Sequence, residues 1–177
     1  MGMSTIIDGS TGITAPSGAI FNGIASGTAV ASTSGTSITF TSIPNWVKRV
    51  TVMFSGVSIS STASIQAQLG SGSVTTSGYV TGTGYITSSN SNAITTVTSG
   101  IPIYGLGAAY AYTGAFTFTL LNSSTNLWVC NASFNATSSY FVTSAGSITL
   151  SGVLDRLRIT TTSTDTFDAG SINILYE

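Results

Sequence analysis

The sequence contains no histidine, and only nine side chains carry charge: Asp8, Lys48, Arg49, Asp155, Arg156, Arg158, Asp165, Asp168 and Glu177. Acid–base or metal chemistry must be assembled from these, from the single Cys130, or from hydroxyl groups. Without an imidazole there is no Ser-His-Asp triad and no histidine metal ligand. One cysteine makes neither an intrachain disulfide nor a CxxC redox pair nor a cysteine-rich zinc site. Paired carboxylates, the machinery of glycoside hydrolysis, are what remains. Asp165 and Asp168 flank Thr166-Phe167 in an expected turn, and Asp155 is expected near them. Turn hydrogen bonding and ion pairs with Arg156 and Arg158 account for these acids more simply. A calcium site at Asp165 and Asp168 has too few neighbouring oxygen ligands in sequence.

The other reactive residues also read as structural. Lys48 is the only lysine, and it stands with Arg49 at the start of an apolar strand, where charge discourages edge pairing. Cys130 lies in the apolar run LWVCNASF, with no base to activate it. The glycine-rich stretches GTGY (82–85) and GLGAAY (105–110) match neither the GxxxxGK[ST] nor the GxGxxG phosphate-binding pattern. The four basic residues are too few to neutralise a nucleic-acid backbone. No enzymatic activity, cofactor or metal is therefore expected.

Aromatic residues offer the remaining handle. Tyr79, Tyr85, Tyr104, Tyr110 and Tyr112 fall in a middle region otherwise made of Gly, Ser, Thr and Ala. Flat aromatic faces among hydroxyl and amide groups suit contact with a receptor glycan. The same tyrosines also suit packing against neighbouring subunits, or capping a core with their hydroxyls at the rim. Both readings stay open on the sequence.

The elements that must position these residues are strands. From residue 36 the apolar residues recur with period two, the mark of a half-buried strand. Val50, Val52 and Phe54 share one face; Ile65, Ala67 and Leu69 alternate with Gln66 and Gln68. Phe116, Phe118 and Leu120 alternate with Thr117, Thr119 and Leu121, and Leu127 and Val129 with Trp128 and Cys130. No stretch repeats apolar residues at helical spacing. The expected fold is all-β, an antiparallel β-sandwich of jelly-roll type with about eight to ten strands. Residues 70–100 are expected to hold short strands between long loops. Residues 1–35, interrupted by Pro16 and seven glycines, are expected to form an extended N-terminal arm ahead of a sandwich over 36–177. Such an arm either packs on its own domain or docks on a partner, and docking is the expectation here.

Composition adds a constraint. Of 177 residues, 30 are Ser, 30 are Thr and only 5% are charged, with a net charge of −1. An ordinary soluble protein carries about 25% charged residues. So little charge favours association, and unguarded Thr-rich strand edges call for cover by neighbouring subunits. A homo-oligomer is expected. No run reaches the length of a membrane helix, so membrane insertion is not expected. The N-terminus lacks the features of a signal peptide, which points to synthesis in a cytoplasm.

Three segments, MSTIIDGSTGITAPSG (3–18), IPNWVKRVTVMFSGVS with QAQLGSGSVTTSGY (43–58 and 66–79), and LRITTTSTDTFDAGSINILYE (157–177), together resemble small tail-fibre-like and other structural proteins of tailed bacteriophages. The resemblance implies a virion protein made in the host cytoplasm. It implies an N-terminal segment that attaches to other virion proteins and a β-rich domain, commonly trimeric, that faces the host. The sequence has no long shaft. A capsid or tail decoration (cement) protein is therefore the alternative to host attachment.

Overall fold

The structure is a computed structural model that describes residues 6–8, 12–14, 20–21, 23–137 and 139–177. Three short strands, β1 (Ile6–Asp8), β2 (Gly12–Thr14) and β3 (Ile20–Phe21), pair only with one another among the described residues. The next two, β4 (Ala25–Ser26) and β5 (Val30–Ala31), lie along the edge of the main domain. That domain comprises β6 (Ser37–Thr41), β7 (Arg49–Ile59), β8 (Ile65–Ser71), β9 (Ser73–Val74), β10 (Val80–Thr87), β11 (Asn92–Thr95), β12 (Ile101–Ile103), β13 (Tyr112–Asn122), β14 (Leu127–Ala136), β15 (Tyr140–Thr149), β16 (Arg156–Thr161) and β17 (Phe167–Tyr176). Two antiparallel sheets pack face to face as a β-sandwich. The larger runs β11-β10-β15-β14-β13-β7-β17-β4, with β5 also on β17; the smaller runs β12-β8-β16-β6, with β9 on β8.

The alternation seen in the sequence becomes the inner face of each sheet. Val50, Val52 and Phe54 of β7 are buried beside Phe116 and Phe118 of β13 and Trp128, Cys130 and Phe134 of β14. Opposite them lie Ile65, Ala67 and Leu69 of β8 and Leu157 and Ile159 of β16. Phe54, Phe116 and Phe134 meet edge to face, with ring centroids 5.0–5.8 Å apart. Such contacts add about 0.5–1.5 kcal/mol each beyond area burial.

After Phe54 the phase of β7 shifts, and Val57 and Ile59 turn inward instead. A β-bulge produces the shift. Gly56 takes φ +62° and Gly170 of β17 takes φ +90° where the two strands meet. A Cβ on Gly170 would lie 2.4 Å from the Gly56 carbonyl oxygen, so only glycine fits.

Where the sequence led us to expect eight to ten strands after residue 36, twelve are present. The short β9 and β11 lie in the Gly/Ser/Thr region, where apolar alternation is weakest. Strand β8 is buried on both faces. Gln66 and Gln68 point away from the core but lie beneath Ser99 and Gly100. Gln68 Nε2 donates to the Ser99 carbonyl at 2.7 Å, Ser99 Oγ donates to Gln66 Oε1 at 2.8 Å, and Arg158 Nε donates to Gln68 Oε1 at 2.8 Å.

Of the expected arm, residues 23–35 pack on their own domain. Gly27 N–H donates to the Ile174 carbonyl at 2.7 Å and Ser32 N–H to the Gly170 carbonyl at 3.0 Å. The Ser32 hydroxyl, fully buried, donates to the Ala169 carbonyl at 2.8 Å. The expected attachment of the arm to a partner also concerns residues 1–5, 9–11, 15–19 and 22, which lie outside the described residues.

Candidate functional site

The five tyrosines singled out above divide into two groups. Tyr79 and Tyr112 are each only 2% exposed. Their rings belong to the core and present no face to a ligand, which corrects the reading of these two as receptor contacts. The physical reason is that a buried tyrosine is tolerated where its hydroxyl finds backbone partners. Tyr79 Oη accepts from Leu69 N–H at 2.7 Å. Tyr112 Oη accepts from Leu106 N–H at 3.0 Å and donates to the Tyr104 carbonyl at 2.9 Å. Burial pushes both phenols up, Tyr112 to about 12, against an opposing contribution from the backbone hydrogen bond.

Tyr85, Tyr104 and Tyr110 do come together, half-buried at one end of the sandwich. Tyr140, which the sequence reading missed, joins them. Tyr85 meets Tyr104 with ring centroids 4.8 Å apart and Tyr140 at 5.3 Å; Tyr110 meets Tyr140 at 5.0 Å, all edge to face. Tyr85 and Tyr140 project from β10 and β15, paired strands. Tyr104 and Tyr110 come from the connection after β12, which the Tyr112 hydroxyl ties down. Tyr110 Oη lies 3.5 Å from Tyr140 Oη, and this contact raises the Tyr110 phenol above its ordinary value. The signal for Tyr140 was available: Tyr140 and Val142 share one face of a period-two strand and Phe141 takes the other.

Beside this cluster opens a shallow cavity of about 400 Å³, lined by Ile86, Thr87, Ser88, Asn135, Ser139, Tyr140 and Phe141. Its lining combines aromatic rings with hydroxyl and amide groups and carries no charge. That chemistry fits an uncharged, hydroxyl-rich ligand.

The carboxylates do not converge. Asp155 pairs with Arg156 at 2.8 Å and accepts Gly72 N–H at 3.0 Å, and the Arg156 guanidinium holds its carboxyl below the usual range. Asp165 accepts Ala63 N–H at 2.9 Å, and Asp168 is bonded by the Ser58 hydroxyl. Gly72 and Ala63 flank opposite ends of β8, whose seven residues span roughly 20 Å at about 3.3 Å each. The expectation that Asp155 lies near Asp165 and Asp168 is thus corrected: β8 and β16 run between them. Among the described residues no three His, Cys, Asp or Glu side chains group to hold a metal ion.

Cys130 is buried on the inner face of β14, and burial pushes its thiol well above the ordinary value. The 82–85 stretch is the interior of β10. Gly105 serves packing, since a Cβ there would lie 2.7 Å from the Ala63 carbonyl oxygen. Lys48 is exposed at the rim of a cavity of about 50 Å³ that Trp128 also lines. Trp128 Nε1 is the one buried side-chain polar atom without a hydrogen-bond partner among the described residues.

No protein-family model, curated protein or solved structure matches the chain.

Proposed function

We propose that this chain is a non-enzymatic structural protein of a bacteriophage virion, tail-fibre-like, which self-associates and serves attachment to the host surface. One observation carries the reading. No charged residue occurs between Arg49 and Asp155, and this span supplies all of β8 to β15. Most of the sandwich therefore offers other molecules only hydroxyl, amide, aromatic and aliphatic groups. Such surfaces favour uncharged partners: further copies of the chain, and neutral saccharides at the Tyr85, Tyr104, Tyr110 and Tyr140 end. Weak contacts repeated on one rigid assembly gain avidity through effective concentration. The phage assignment itself rests on the resemblance of the three segments described above, as does a trimer as the number of copies.

Light scattering on the purified chain tests the self-association. A mass that is a multiple of 17.9 kDa at micromolar concentration is expected; a monomer overturns the reading. For attachment, fluorescently labelled protein should stain host cells and lose that staining after periodate destroys surface glycans. Undiminished staining would remove glycan contact from the account. The alternative, a capsid or tail decoration protein, is favoured by the same adhesive, uncharged surface. Copy number separates the two: hundreds on the particle shell mean decoration, and a handful at the tail means attachment.

A further inference from the structure

The small cavity beside Lys48 has a wall rich in hydrogen-bond donors. Three segments build it: the turn before β7 brings Asn45 and Lys48, the β13–β14 hairpin brings Ser123 and Asn126, and β14 brings Trp128. Backbone hydrogen bonds hold these segments in place. Leu120 N–H donates to the Lys48 carbonyl at 2.8 Å, and Leu150 N–H to the Asn126 carbonyl at 3.1 Å. Asn126 takes φ +53°, a left-handed turn conformation that asparagine tolerates.

Two of the lining groups can only donate: the Trp128 indole N–H and the Lys48 ammonium. Trp128 is buried, and its Nε1 has no hydrogen-bond partner among the described residues. A buried donor left in that state is costly, so native proteins supply an acceptor. Lys48 forms no ion pair among the described residues. The acids closest to the lining in sequence are engaged elsewhere: Glu177 with Arg49, and Asp155 with Arg156 and the Gly72 N–H. Asn45, Ser123 and Asn126 are neutral and can donate or accept, and no carboxylate is among the lining residues. The two donor-only groups therefore face no negatively charged acceptor from the chain itself.

We propose that this cavity is a binding site for a chloride-sized monovalent anion, which accepts a hydrogen bond from Trp128 Nε1 and is neutralised by Lys48. A single such ion satisfies the indole donor and the ammonium together, and hydrogen bonds to a charged partner are the stronger kind. A water molecule would accept from the indole but would leave the lysine charge unanswered. The size fits: the cavity measures about 50 Å³, and one water-sized sphere needs only about 10–15 Å³. The site is independent of self-association and of the tyrosine end.

Bromide, a heavy-atom quencher of indole fluorescence, is the probe. The chain has two tryptophans, so Trp46→Phe leaves Trp128 as the only emitter. At fixed ionic strength, bromide should quench this emission along a saturating curve, and added chloride should relieve it. Lys48→Gln in the same background should weaken the half-saturation by at least about tenfold, as loss of a charge-assisted hydrogen bond does, and Lys48→Arg should retain binding. Chloride-35 NMR line broadening on the unsubstituted chain repeats the measurement without W46F. There Trp128→Phe, which keeps a ring but no N–H, should weaken chloride binding as much as K48Q does, with circular dichroism confirming each fold. Absent quenching with absent broadening, the result for a cavity that holds only water, overturns the proposal. So does quenching that rises without saturation, or binding that is unchanged in K48Q or W128F.

Discussion

Replacing Tyr112 by Phe removes one oxygen and leaves the ring. That oxygen joins Leu106 N–H at 3.0 Å to the Tyr104 carbonyl at 2.9 Å and so fastens the connection that carries Tyr104 and Tyr110. A typical intramolecular hydrogen bond contributes about 1 kcal/mol net, so losing both should cost about 2 kcal/mol. A second effect is read in pH. Burial raises the Tyr112 phenol from 10 in the unfolded chain to about 12 in the folded one. A raised pKa means the folded state holds its proton more tightly. Stability from this source is fully present below pH 10 and is lost as pH rises toward 12. The two-unit shift corresponds to about 3 kcal/mol, with a slope of at most about 1.4 kcal/mol per pH unit in that window. Tyr79 acts in the same direction. Urea denaturation of wild type and Y112F, at one protein concentration and at pH 7, 10 and 11, resolves both effects. Y112F should be less stable at pH 7 and should fall less steeply above pH 10. Equal stability at pH 7 together with an identical alkaline slope would refute the placement of this hydroxyl.

Gly170→Ala should destabilise by about 3 kcal/mol or more, because the new methyl meets the Gly56 carbonyl at a backbone conformation alanine resists; a change in thermal midpoint of a degree or less would contradict the bulge. The Cys130 thiol should stay unreactive toward a disulfide reagent at pH 8 in the folded protein and react at once in denaturant; rapid reaction without denaturant would mean β14 is not buried as described. Ser32→Ala should cost about 1 kcal/mol by leaving the Ala169 carbonyl without its hydroxyl donor. An unchanged urea midpoint for S32A would show that residues 23–35 do not hold to β17.

The fold class was legible where alternation was strong. Val50, Val52 and Phe54, or Phe116 and Phe118, could only lie on one buried face. No pattern could be read in β10, where Val80 and Ile86 face outward and the inward positions include Thr81 and Thr83. A composition of Gly, Ser and Thr leaves no period to read, and β11 was hidden for the same reason. Tyrosines were a harder case. Whether one is buried depends on a backbone partner for its hydroxyl, and for Tyr79 that partner is Leu69, on another strand. Sequence proximity likewise suggested a carboxylate cluster. Asp155 and Asp165 are ten positions apart, but β16 is extended between them and carries them to opposite ends of β8. The double burial of β8 was invisible because Gln66 and Gln68 look like solvent-facing residues until Ser99 is folded over them.

The central claim is that this sandwich acts by associating through uncharged surface, and light scattering of the purified chain in low and high salt tests it most directly. Contacts between apolar faces do not weaken when salt at about 1 M shortens the Debye length to about 3 Å. The account predicts an oligomer whose mass is a multiple of 17.9 kDa at micromolar concentration and stays the same in high salt. A single 17.9 kDa species, or an oligomer that salt dissociates, would contradict it.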